Sequence, residues 1–351
     1  MTSLLQKILT PGHRAISSRM ILWGRLTSMR KNLQNHMSNY PFRENEIQMF
    51  IKVSLLFILI FVLSFAGCNS KRPGQDKIEA QKVESLIKIK EVNDLTIIVQ
   101  FGYDAVTAIK TSKGIVLVDA GISTDLTARY KKIIEDKFRQ KNFVYVINSH
   151  GHRDHIRGNS LFHQAKVVGH EYCQKDAFEG WNNQASSLMR IRKIVNDYDQ
   201  ELQHSIPNTS EWEDSFTQKI RYMGAYQDTK NRIPLRIPDI TFSDSLKCEC
   251  GGSTFEMMYF GKFHSNSDIL IYIPETKVLF TGDLFSKYGR PNKSDSSVAD
   301  KSQWIRATKW IKRRKDSIET IIDGHGHILS TDDLASFNDN LLSKYLKEGI
   351  K

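Results

Sequence analysis

The chain has 351 residues, 40% of them hydrophobic and 25% charged, with a formal net charge of +11. That apolar share is ordinary for a globular protein and is enough for a sizeable core in one large or two ordinary domains. Its four cysteines form no pair of CxxC motifs, which argues against a zinc ribbon, and no basic stripe interleaved with aromatics tracks a nucleic-acid backbone, so no nucleic-acid partner is expected.

Part of the positive charge sits at the start. Residues 1–48 carry Lys7, Arg14, Arg19, Arg25, Arg30, Lys31 and Arg43 against Glu44 and Glu46. Val53–Ala66 is then free of charge and follows Lys52. It is short for a bilayer span, which takes about 20 apolar residues, and suits the apolar core of an export signal. The run closes on Phe65-Ala66-Gly67-Cys68-Asn69-Ser70, which resembles the lipobox of bacterial lipoproteins, with Phe65 standing where that motif carries an aliphatic residue. The reading is a signal over 49–67 opened by Met49, lipidation at Cys68, and an upstream extension over 1–48 that lies ahead of the true start. An Arg-bearing transit peptide and a cytoplasmic tail on a signal anchor are the rival readings. On the first reading the protein is exported and membrane-anchored, as a lipoprotein facing the periplasm or the cell exterior. Polar residues with Pro73 and Gly74 follow, and a flexible tether is expected over 68–82.

From residue 83 to 351 the pattern is that of a folded domain. Short apolar runs at Thr96–Phe101, Val106–Ile109, Ile115–Val118, Phe143–Ile147, Phe255–Phe260, Ile269–Ile273 and Val278–Phe280 predict strands, and Pro274-Glu275-Thr276 predicts a hairpin turn between the last two. Helical spacing links Leu126, Tyr130, Ile133, Ile134 and Phe138. It recurs at Leu188, Ile191, Val195, Tyr198 and Leu202, and again from Leu334 to Tyr345. Strands in two groups, each followed by helices, predict an α/β fold, a four-layer αββα sandwich. Residues 171–234 read as a helical insert beside the site, serving as scaffold or lid.

The chemistry is concentrated in His150-Gly151-His152-Arg153-Asp154-His155. Three imidazoles and a carboxylate fall in six residues of a chain with eleven histidines. These are donor types that a divalent cation takes. The i, i+2 spacing lets two side chains of one loop reach one ion, and Asp154 and His155 turn toward a neighbouring position, so two adjacent metals are expected.

This segment resembles the His-x-His-x-Asp-His signature of the metallo-β-lactamase superfamily. Four further stretches resemble the family's other motifs in the same order: Ile115–Asp119, Gly261-Lys262-Phe263-His264-Ser265, Thr281-Gly282-Asp283 and Asp323-Gly324-His325-Gly326. The resemblance runs from about Leu95 to Leu346. It implies the four-layer fold and a ligand set of His150, His152 and His264 for one metal, Asp154, His155 and His325 for the other, and Asp283 between them. It implies two zinc ions, with iron or manganese accepted by the same donors. Asp119 is expected to support the histidine loop by hydrogen bonding. His163, His170 and His204 match no motif, and His325 is preferred over His327 because Gly324 and Gly326 flank it. Arg153 and Arg290 are candidate anchors for a substrate carboxylate.

The implied activity is water activation by a dinuclear zinc site against a small acyl substrate (an ester, thioester or lactone), with no serine or cysteine nucleophile. Zinc β-lactamases usually have cysteine or serine in place of Asp283, which makes that activity the alternative among hydrolases. Iron-dependent persulfide dioxygenation is the alternative of another class.

Overall fold

The structure, a computed structural model, describes residues 75–179, 183–285 and 301–330. The upstream extension, the signal, Cys68, Arg290 and the helix expected from Leu334 lie outside the described residues. The chain divides into Met1–Ile78 and Glu79–Lys351, and the second unit holds two β-sheets.

The first sheet has seven strands in sequential order: β1 (Lys88–Asn93), β2 (Thr96–Phe101), β3 (Asp104–Thr111), β4 (Gly114–Val118), β5 (Phe143–Ile147), β6 (Lys166–His170) and β7 (Ile240–Phe242). It is antiparallel through β4 and parallel from β4 to β7. The second sheet has the order β13-β12-β11-β10-β9-β8, with β8 (Ser245–Cys250), β9 (Ser253–Tyr259), β10 (Ile269–Ile273), β11 (Val278–Gly282), β12 (Thr320–Asp323) and β13 (Ile328–Leu329). Among the described strands only β11 and β12 are parallel in it. The hairpin expected at Pro274–Thr276 joins β10 to β11, pairs Ile273 with Val278, and is closed by Lys277 at φ 54°.

The helices are α1 (Gln75–Leu86), α2 (Thr124–Phe138), α3 (Arg153–Ile156), α4 (Cys173–Phe178), α5 (Gln184–His204), α6 (Ser210–Lys230) and α7 (Lys301–Arg313). The tether expected over 68–82 gives way to α1 at Gln75. Helix formers follow Gly74, Val83 is buried, and Leu86 packs on the core, so this segment has apolar surface to bury. Ser123 caps α2 by accepting from Leu126 N at 3.3 Å, and Asn183 caps α5 by accepting from Ala185 N at 2.9 Å.

Alternation along the strands sorts the core into three layers of contact. Ile97, Val99, Phe101, Ile115 and Leu117 face the helices, meeting Leu126, Tyr130 and Ile134 of α2 and Phe216 of α6. Ile98, Val116 and Val118 point the other way, onto Ile269, Ile271, Val278 and Phe280 of the second sheet. Leu270, Tyr272, Leu279 and Ile321 occupy that sheet's far side, against Trp304, Ala307, Trp310 and Ile311 of α7. Three such interfaces make four layers, the αββα sandwich. Truncating one fully buried side chain here, such as Ile271→Ala, costs roughly 2–5 kcal/mol.

This stacking positions the site. Asp119 follows β4, the histidine loop follows β5, Asp283 follows β11 and His325 follows β12. Two parallel pairs, β4–β5 and β11–β12, thus deliver their C-terminal loops together. The backbone seals the meeting: Ile269 N donates to the Ser149 carbonyl at 3.0 Å, and Gly324 N donates to the Gly282 carbonyl at 2.9 Å.

Candidate metal centre

The seven side chains singled out in the sequence come together from four stretches. Potential ligand atoms of His150, His152 and His264 lie within 4.8 Å of one another, as do those of His150, His155 and Asp283, and those of Asp154, His155 and His325. Asp283 Oδ2 is 3.2 Å from His325 Nε2, 3.4 Å from His264 Nε2 and 3.6 Å from His155 Nε2. His152 Nδ1 faces His264 Nε2 at 3.1 Å.

Three of the rings are turned by a partner behind them. His155 Nδ1 donates to Asp119 Oδ2 at 3.0 Å, and His325 Nδ1 donates to the Tyr103 carbonyl at 2.6 Å. His150 Nδ1 donates to Ser149 Oγ at 3.1 Å, which in turn donates to Asp119 Oδ2 at 2.7 Å. Asp119 Oδ1 also accepts from Ser149 N at 2.8 Å. Asp119 thus braces the histidine loop from a backbone held at φ 58°, a left-handed conformation that Asp tolerates better than most residues. Committing each Nδ1 outward leaves Nε2 of His150, His155 and His325 aimed inward.

Whether these residues fit a cation can be read from what they lack. His150 Nε2, His155 Nε2 and Asp283 Oδ1 are buried without a hydrogen-bond partner. A buried polar atom left so costs about 1–3 kcal/mol. All three belong to the converging sets, and a divalent ion would satisfy them together. Gly324 completes the fit: a Cβ there would stand 2.4 Å from Asp283 Oδ1 and 2.9 Å from His155 Cε1.

The electrostatics divide the cluster. Burial, reinforced by the His155 and His152 rings, pushes His150 well below the usual imidazole range, and burial with His264 nearby pushes His152 down to about 4. At the other end burial is overcome. Asp154, Asp283 and Asp119 hold His155 well above its ordinary value, and Asp283 raises His325. Burial opposes ionisation of Asp154 and Asp283, yet His155 and His325 hold Asp154 at about 2, and the same two rings keep Asp283 well below the carboxylate range. One end thus favours neutral imidazoles, the other carboxylates beside imidazoles that hold their protons more tightly.

The sequence profile of the "Metallo-beta-lactamase superfamily" matches residues 100–325, well over half the chain. The chain belongs to this superfamily. Its members are metal-dependent hydrolases, and the His/Asp cluster fits a metal site. A "Metallo-beta-lactamase type 2" from Bacillus cereus is 21% identical over 290 residues, covering 80% of this chain and 93% of the relative. One from Bacteroides fragilis is 24% identical over 117 residues, 33% of this chain and 47% of the relative. Among solved structures, the stereoselective inverting sec-alkylsulfatase from Pseudomonas sp. superposes with a TM-score of 0.53 at 18% identity, covering 77% of this chain and 45% of that one. That likeness is one of fold.

Around this centre the remaining residues fall into place. His327 is bound to Asp323 Oδ2 at 2.9 Å, so it braces the loop that carries His325. His170 stacks on Tyr259 with ring centroids 3.7 Å apart, and His204 Nδ1 donates to the Gln200 carbonyl at 2.7 Å. Arg153, considered as a substrate anchor, donates from Nε to the Ala177 carbonyl at 2.8 Å and so serves α4. A cavity of about 230 Å³ bordered by Gln100, Tyr103 and His327 adjoins the His325 loop but includes none of the converging seven. Three contributors were missed in the sequence: the Tyr103 carbonyl, Ser149 and Arg221. Ser149, next to His150, had a positional signal. Arg221 had none, because it reaches the site from the insert.

Proposed function

We propose that this chain uses a pair of zinc ions to hydrolyse a small acyl substrate, an ester, thioester or lactone. The observation that carries the reading is Asp283, whose Oδ2 lies within 3.2–3.6 Å of imidazole nitrogens from three separate loops while its Oδ1 is unsatisfied. A carboxylate so disposed can serve two cations at once. His150, His152 and His264 would hold the first, and Asp154, His155 and His325 the second. Imidazole-rich donors favour zinc, and the same set accepts iron or manganese. When bound, such a pair supplies a water-derived nucleophile at neutral pH and polarises the acyl carbonyl.

The chain's own residues do the rest. His150 and His152 stay unprotonated at neutral pH and keep their lone pairs available. Asp119 fixes the His155 ring, Ser149 that of His150, and the Tyr103 carbonyl that of His325, so the donor atoms need no rearrangement on binding. Glycine at 282 and 324 keeps the floor open, since a Cβ at Gly282 would meet Ser149 at 2.8 Å. The proposal includes export, with the signal over 49–67 removed and Cys68 lipidated, and no nucleic-acid partner; the N-terminal sequence alone supports this part.

The Bacillus relatives carry the name metallo-beta-lactamase, which makes a β-lactam the rival substrate. The carboxylate at 283 favours the acyl esters, because zinc β-lactamases usually have cysteine or serine at that position of the motif. The deciding experiment is a turnover screen of zinc-loaded protein against esters, thioesters, lactones and β-lactams, with oxygen uptake on persulfides by iron-loaded protein alongside. Ester, thioester or lactone turnover is expected, lost in His152→Ala and Asp283→Asn. Turnover surviving both substitutions, or confined to β-lactams or persulfides, sinks the reading.

A further inference from the structure

The helical hairpin α5–α6 sends one charged side chain to the metal centre. Arg221 of α6 is only 4% exposed. Its Nη2 stands 4.0 Å from Asp154 Oδ2, its Nη1 donates to Gln218 Oε1 at 2.5 Å, and its Nε has no hydrogen-bond partner. A guanidinium buried this deeply is costly unless carboxylates offset it. Two do so: Asp154, and the buried Asp104, whose carboxyl is pushed up by burial and drawn back by Arg221. Asp104 is itself fixed, accepting from Tyr130 Oη at 2.9 Å and from Ile122 N at 3.1 Å.

We propose that Arg221 is a positioning residue for Asp154, which makes the α5–α6 hairpin part of the metal centre. Asp154 Oδ2 stands 4.0 Å from Arg221 Nη2 and 3.7 Å from His155 Nε2. It belongs to a four-residue helix, α3, whose buried residues are His155 and Ile156, while the Asp154 side chain is 34% exposed. Arg221 supplies a constraint from outside. Its burial leaves little guanidinium surface for a substrate anion, which separates this role from substrate anchoring. The hairpin is anchored to the sandwich as the role requires: Asp228 of α6 accepts from Thr124 N at 2.8 Å and from Thr124 Oγ1 at 2.6 Å.

The inference rests on the two-cation reading, and the test separates the two. Zinc binding is titrated against a chromogenic chelator in the full chain and in Arg221→Met, Arg221→Lys, Asp154→Asn and the Asp154→Asn/Arg221→Met double variant. Wild type binding two equivalents, with the second weakened about 10–100-fold in Arg221→Met and the first unchanged, supports the assignment. So does the absence of any further loss when Arg221→Met is added to Asp154→Asn, the signature of one residue acting through the other. Arg221→Lys keeps the charge without the two-pronged geometry, and a smaller weakening is expected. If Arg221→Met does not fold, Arg221→Lys decides alone, and an unchanged second equivalent overturns the assignment. Unchanged zinc binding with a raised KM, or with a lowered Tm alone, also overturns it. A wild type that binds fewer than two equivalents removes the two-cation reading itself.

Discussion

Asp119 Oδ2 and His155 Nδ1 meet at 3.0 Å, a contact between two loops of the first sheet that turns the His155 ring toward the second. Asp119 follows a strand of the first sheet, while His155 Nε2 faces Asp283 from the second at 3.6 Å. Asp119→Asn keeps a residue that tolerates φ 58° but loses the charged acceptor. Zinc affinity should fall about 10–100-fold with Tm little changed. Asp119→Ala should lose the same affinity and a further ~1 kcal/mol of stability, because alanine is strained in the left-handed region. Chelator competition and calorimetry on both variants check this, and equal Tm values would show that the backbone there is not under constraint.

The split in the cluster's electrostatics predicts how cations and protons compete. His155 and His325 are raised above the ordinary imidazole value, so their rings hold protons to higher pH than a free imidazole does, and a cation entering that end must compete with those protons. Affinity at that end should rise with pH through neutrality. His150 lies well below the ordinary value and His152 at about 4, so these rings are already deprotonated and bind without that proton cost until strongly acid pH. Calorimetric titration of metal-free protein in buffers of different ionisation enthalpy should show more protons released by the zinc equivalent that fills the Asp154–His155–His325 end. Equal release by both equivalents would contradict the division.

Gly324 tests the close packing of the floor. Its φ is not in the left-handed region, so alanine suits the backbone, and the added methyl meets Asp283 Oδ1 at 2.4 Å. Gly324→Ala should fold with near-native Tm, yet lose about 100-fold in turnover, the scale expected when a reacting geometry shifts by about 1 Å. Circular dichroism and steady-state kinetics separate the two effects; native turnover would mean that the loop gives way freely.

The centre was more legible than its supports, for a physical reason. Ligand residues must be histidine or carboxylate whatever surrounds them, so His150–His155, His264, Asp283 and His325 stand out in a bare sequence. The central strands were equally plain, because β2, β5 and β10 are short runs dominated by apolar residues. Helix α6 was not, since its buried side includes Ser215, Thr217, Arg221 and Asp228, which breaks the apolar period that betrays a helix. Edge strand β1 reads Lys-Ile-Lys-Glu-Val-Asn and is largely solvated. In β8 the alternation of Leu246, Cys248 and Cys250 with charged residues was present, but the cysteines drew attention as thiols; both are free. Helix α7 had its period too, in Trp304, Ala307, Trp310 and Ile311, but the basic residues between them lower the mean hydropathy and obscure it.

Asp176 gives the sharpest test of how the His264 loop is held. The carboxylate is buried on α4, and its Oδ1 accepts from Asn266 Nδ2 at 2.5 Å and from Asn266 N at 3.2 Å, while Oδ2 accepts from Ser267 Oγ. Ser267 Oγ in turn accepts from Gly151 N at 2.8 Å. One carboxylate therefore ties the stretch after His264 to the loop of His150 and His152 through bonds to neither imidazole set. Asp176→Ala strands the Asn266 backbone N–H in a buried setting and leaves Nδ2 only Glu179 Oε2 at 3.5 Å, at a cost of about 1–3 kcal/mol. It should also loosen the His150–His152–His264 end, so that the first zinc equivalent weakens while the second is spared, the reverse of the pattern expected for Arg221→Met. Asp176→Asn keeps the shape and one acceptor oxygen, and should recover part of both losses. A stability loss in Asp176→Ala with both zinc equivalents intact would show that the two loops hold their places independently of this residue.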